Sequence, residues 1–176
     1  FNEYFLLNNY YPDLYPNNRN PDAPFLGYDP DRARTLLKEA GWMVDGSGVL
    51  TKDGKPFELV FLHHGEVTPH LTIYLEDLKK VGIQARIDVV SAASHTKRVD
   101  EHDFDMIWRN WGASRLRDPE TMWSSKTAED TATQNISGVK DPAIDALIAQ
   151  QRLEMDLAKR NDILRKIDQR LTEIMP

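Results

Sequence analysis

Four residues with side chains that bind metals or move protons stand close together in the chain: His63, His64, Glu66 and His70. Imidazole and carboxylate are zinc-ligand types, and a neutral imidazole also serves as a general base. The HExxH pattern that would set two imidazoles and a base on one helix face is absent. Exposed loop imidazoles are therefore the plainer reading of this cluster, and His95 and His102, which flank a polar stretch, are expected to be solvated. A second group lies in FDMIWRNWGASRLRDPETMW, residues 104–123. Trp108 and Trp111 offer wide apolar faces with one donor each, suited to stacking on a ligand. Asn110, Gly112 and Ser114 supply amide, bare backbone and hydroxyl for polar contact. Arg109, Arg115 and Arg117 are able to pair with carboxylates, although arginines in a polar loop are more often solvated. Trp123 is expected in the core.

Several chemistries are excluded by what the chain lacks. It has no cysteine, which removes disulfides, thiolate metal sites and cysteine nucleophiles together. No GxxxxGK[ST] or GxSxG occurs, and Gly46-Ser47-Gly48 carries Thr51 where a third glycine would be needed to cradle a dinucleotide. The 22 basic and 28 acidic residues give a net charge of −6, the wrong sign for nucleic acid. Charged residues make up 28%, and the mean hydropathy of −0.56 fits a globular chain.

The elements that must position these residues can be read from periodicity and punctuation. Residues 1–28, rich in Asn, Tyr and Pro, have no sustained period and are expected to form an irregular arm. Asp29-Pro30 starts a helix, Ala33, Leu36, Leu37 and Ala40 form its stripe, and Gly41 closes it. Asp45-Gly46-Ser47-Gly48 and Asp53-Gly54 mark a short hairpin-like stretch. Phe57–Leu62 is nearly continuous apolar, as in a strand covered on both faces. A helix with a stripe of Leu71, Tyr74, Leu75, Leu78 and Val81 follows, stopped by Gly82. Ile83, Ala85, Ile87 and Val89 alternate with polar residues, which predicts a strand. A short polar helix over Ser94–His102 and a third strand over Phe104–Trp108 complete a βαβαβ core with parallel pairing and right-handed crossovers. The last third, with Asp118-Pro119 and Asp141-Pro142 as starts, is expected to be helical. The fold class is α/β. In such sheets ligands sit outside the carboxyl ends of the strands, which is where Trp108 and the loop after it fall.

The wording of these elements resembles a known family. YDPDRARTLLKEAGW, a hairpin leading into GKPFELVFL, YLEDLKKVGIQARIDVV, the FDMIWRNWG loop and GVKDPAIDALI, in that order, resemble the bacterial family 5 extracellular solute-binding proteins, with NISGVKDPAIDALI closest to the YejA-type branch. The resemblance runs from about Tyr28 to the end. It implies a lobe of the periplasmic-binding-protein type II fold, with a helical C-terminal part, in a longer two-lobed receptor of an ABC importer. Such a receptor is secreted or lipid-anchored outside the cytoplasm, closes over a peptide or peptide-like solute, and passes it to a membrane permease. It has no cofactor and catalyses nothing. At the loop after the third strand the family places a Trp and, three residues on, an Asp that pairs with the peptide amine. Trp111 matches the first, but Ser114 stands at the second, and a hydroxyl cannot form that ion pair.

The expected organisation is an arm over 1–28 and an α/β ligand-binding lobe over 29–176, the missing N-terminal lobe of the same protein completing the site. The expected partners are the solute, that lobe and the permease, with no nucleic acid and a monomeric state. The ligand-binding candidates are Trp108, Asn110, Trp111, Gly112, Ser114, His63 and His64, with no catalytic or metal-binding residue. Two alternatives stand beside this reading: a metal-dependent hydrolase using His63, His64, Glu66 and His70, and a ligand-sensing interaction domain.

Overall fold

The computed structural model describes residues 10–18, 20–21, 27–109 and 118–176. They pack as two compact units, one of Tyr28–Gly112 and one of Phe1–Gly27 with Ala113–Pro176. This grouping differs from an arm beside a single lobe. The N-terminal residues are built into the second unit, for reasons that lie in one buried carboxylate described below.

The first unit opens with α1, Pro30–Glu39. Asp29 caps it by accepting from the Arg32 N–H, and Gly41 leaves it with a φ of 88° that suits glycine. Only part of its expected stripe is used: Ala33 and Leu37 pack on a core of Leu50, Val81 and Ile83, whereas Leu36 is exposed. Three short strands follow, β1 (Met43–Val44), β2 (Leu50–Lys52) and β3 (Lys55–Pro56), paired antiparallel in that order. Asp45 holds the first turn, its carboxylate accepting from Ser47 N, Ser47 Oγ and Val49 N. Asp53 and Gly54, both at positive φ, make the second.

The second sheet is parallel and has the order β5-β4-β6. Its central strand, β4 (Glu58–His64), is followed by α2 (Pro69–Lys80), β5 (Gln84–Val90), α3 (Ala92–Asp100) and β6 (Met106–Ile107). Parallel neighbours require crossovers, and α2 and α3 supply them. Phe61 and Leu62, successive on β4 and therefore on opposite faces, are both buried, so this stretch is covered on both sides. Alternation along β5 fails at its end, where Val89 is exposed and Asp88 half-buried. The third strand is shorter than the expected Phe104–Trp108. Asp105 explains the late start: its carboxylate accepts the Val60 N–H at 2.8 Å, so a side chain occupies the next site along β4. The two sheets are tied where Leu50 N donates to Gly82 O and Phe57 N to Leu50 O, both at 2.8 Å.

The second unit contains α4 (Glu120–Trp123), α5 (Pro142–Leu153) and α6 (Leu157–Ile174). Asp118-Pro119 starts only one helical turn, whereas Asp141 caps α5 by accepting from the Ala143 and Ile144 N–H groups. Residues 124–141 are irregular apart from a 3-10 turn, Ser125–Thr127. The buried Asn135 organises this stretch, donating to Ser124 O and Val139 O and accepting from Val139 N. Ile144, Ile148, Leu164, Ile167 and Leu171 form the core with Trp123, Tyr11 and Leu14. Trp123 is buried as expected, and its Nε1 donates to Tyr11 Oη at 3.1 Å.

Asp168 on α6 draws the N-terminal residues in. It is fully buried, with Oδ1 accepting the Tyr10 and Tyr11 N–H groups at 2.6 and 2.7 Å. Its Oδ2 accepts from Tyr15 Oη at 2.9 Å and from Asn20 Nδ2 at 3.3 Å. A buried carboxylate is tolerable only when its lone pairs are met in this way. Arg165, one turn earlier, donates twice to Leu14 O.

Candidate functional site

The three parallel strands end on a common rim. Register pairs His64 with Val90 across β4 and β5, and Leu62 with Ile107 across β4 and β6. The rim therefore begins at His63 and His64, at Ser91 after β5, and at Trp108 after β6. Each crossover helix leaves from it, so the first-turn residues of α2 and α3 belong to it as well. His70 and His95 occupy those turns.

His63 Nε2 lies 2.9 Å from Glu66 O. A carbonyl only accepts, so the proton sits on Nε2 and the ring fastens the loop that Gly65 turns at a φ of 84°. The His63 and His64 rings are 6.2 Å apart and close to parallel. His64 meets His95 at 4.6 Å, edge towards face. Trp108, 55% exposed, has its ring 5.2 Å from that of His70. Burial lowers the His95 pKa, and the positive charges of His64, His63, Arg109 and Arg98 lower it further.

Of the candidates named from sequence, His63, His64 and Trp108 come together on this rim. Asn110, Trp111, Gly112 and Ser114, with Arg115 and Arg117, lie outside the described residues. His95 is the member that sequence reasoning missed, having been assigned to solvent. The signal was present in Ser91, whose Oγ caps the helix through the Ser94 N–H and thereby sets His95 in the first turn. The set required for a metal-dependent hydrolase is split. His63 turns to the Glu66 main chain, His64 to His95 and His70 to Trp108, and among the described residues no group of three or more His, Cys, Asp or Glu is placed to hold a metal ion.

Residues 3–133 match the family model described as bacterial extracellular solute-binding proteins, family 5, middle. The chain belongs to this family. It is 32% identical over 137 residues to the probable peptide-binding protein YejA of Agrobacterium fabrum, covering 74% of this chain and 22% of that one. Against YejA of Escherichia coli it is 35% identical over 132 residues, covering 70% and 21%. The structure of the oligopeptide-binding protein AppA of Bacillus subtilis, in complex with a nonapeptide, superposes with a TM-score of 0.81 at 25% identity, over 91% of this chain and 32% of that one. The fold is thus the α/β type II periplasmic-binding-protein fold, and the chain spans between a fifth and a third of the length of these relatives. The family is one of binding proteins rather than enzymes.

Proposed function

We propose that this chain forms one wall of the solute site in a peptide-binding receptor of an ABC importer, working outside the cytoplasm, secreted or lipid-anchored. The observation that carries the reading is the rim itself. In a chain of a solute-binding family, an exposed tryptophan and a row of imidazoles stand at the carboxyl ends of parallel strands, where open α/β sheets take their ligands. Peptides are the favoured solute because YejA of Agrobacterium fabrum is named a probable peptide-binding protein and AppA was solved with a nonapeptide.

In this reading Trp108 stacks on the solute and His63 and His64 border it. Asn110, Trp111, Gly112 and Ser114, which follow directly in sequence, are the further ligand-binding candidates. Ser114 offers a hydroxyl, so a peptide amine finds its counter-charge elsewhere. The rest of the protein supplies the opposite wall and closes over the solute by a hinge, which the solute stabilises by touching both sides. The solute leaves unchanged and passes to a membrane permease.

Titration of the complete protein with short peptides of graded length, followed by tryptophan fluorescence, tests this. A saturable change is expected, and Trp108→Ala should weaken binding roughly tenfold, the usual loss at a central aromatic contact. No saturable response to any peptide would overturn the reading.

A further inference from the structure

The reading of the chain as a peptide receptor leaves the charge preference of its site open, and the rim bears on that question. His95 stands in the first turn of α3, half-buried, with its ring edge to face with that of His64. Among the described residues, the charged groups that weigh most on it are His64 and His63 at the end of β4, Arg109 just after β6 and Arg98 on its own helix. All four are basic. Arg98, one turn along α3, is already neutralised. Its Nη1 meets Asp88 Oδ2 on β5 at 2.8 Å, and its Nε meets Asp103 Oδ2 at 2.8 Å and Asp103 O at 3.1 Å. That clamp joins α3 to the edge strand and to the loop before β6, so the backbone carrying His95 is held in place. Arg109 is exposed.

We propose that His95, with His64, is a specificity-determining pair that receives a carboxylate of the bound solute. The inference rests on the peptide-receptor reading and extends it to acidic peptides. Burial, with the basic groups beside it, disfavours the charged form of His95. An arriving carboxylate supplies the missing negative charge. His95 then takes one proton from solvent, forms a charge-assisted hydrogen bond, and releases that proton when the solute leaves. Arg98 is a positioning residue, acting through the placement of α3.

The test uses calorimetry on the complete protein with two C-terminally amidated probes, tri-glutamate and tri-glutamine, at about pH 5.5 and about pH 7.5, either side of an ordinary imidazole pKa. Tri-glutamate amide should bind about tenfold tighter at the lower pH, since one linked proton changes affinity by at most tenfold per pH unit. Its binding near pH 7 should take up protons, seen as a dependence of the heat on the buffer's ionisation enthalpy. Tri-glutamine amide should show neither effect. His95→Gln and His64→Gln should each remove most of the pH dependence. His95→Lys should bind tri-glutamate amide tightly at both values, a rescue that a merely structural role would not give. Equal affinity and equal pH profiles for the two probes would overturn the inference while leaving the peptide reading intact. Failure of both probes to bind at either pH would overturn the two together.

Discussion

Asp168 and Asp141 show how much single side chains decide in this molecule. Replacing Asp168 with Ala would orphan the Tyr10 and Tyr11 N–H groups, whose bonds to a charged acceptor are worth about 1.5–3 kcal/mol each. Asp168→Ala should therefore lower the unfolding free energy by about 3 kcal/mol in denaturant melts and open residues 10–21 to protease. Asp168→Asn keeps one acceptor oxygen for those amides and should cost about half as much. Asp141 is held below the usual carboxylate range chiefly by its bond to Arg170; burial opposes this, and the α5 amides it caps lower it further. A carboxyl whose folded pKa is depressed stabilises the fold above its unfolded value, near 3.9, and that contribution is lost as pH falls through the folded value. The melting temperature should fall steeply below about pH 4, and more shallowly in Asp141→Asn, which still caps α5 but cannot pair with Arg170. Neither long-range role was visible in the sequence. Asp141 could be read as a cap from Asp-Pro, but its partner lies 29 residues away, and Asp168 reaches across 158 residues. His95 escaped for a different reason, since a histidine in a polar helix looks solvated until the helix is known to start on the rim.

At the scale of elements, local signals were legible and long-range ones were not. Helices α1 and α5 start where Asp-Pro put them, and the turns at Asp45 and at Asp53-Gly54 form as their residues require. By contrast, β6 starts late because Asp105 competes for the β4 backbone, and 124–141 is irregular because Asn135 satisfies it without a ladder. Both are settled by contacts that no period records. Gly82, which ends α2, joins the two kinds of information. Its φ of 87° favours glycine, and an added Cβ would meet Leu50 N at 3.1 Å and Leu50 Cβ at 3.2 Å. Gly48 has a similar φ of 85° with open space around it. Gly48→Ala should thus cost about 1–2 kcal/mol, the ordinary strain of a left-handed alanine. Gly82→Ala should cost clearly more in the same chemical-denaturation series, because backbone must also move.

For the whole molecule, the family and the α/β class were legible in the order of five stretches of sequence, and the match over residues 3–133 establishes the family. The grouping into two units was not, because it depends on N-terminal residues docking on helices far along the chain. At this scale the proposal is that the strand-end rim around His64, His95 and Trp108 is one wall of a peptide site. Receptors that enclose their solute release it slowly, so the complete protein purified without denaturation should carry some of its solute with it. The direct measurement is to unfold such a preparation and identify the released molecules by mass spectrometry, comparing wild type with Trp108→Ala. The proposal predicts short peptides, enriched in acidic residues, from the wild type and markedly fewer from the variant. A different class of solute released in stoichiometric amount, from wild type and variant alike, would contradict it.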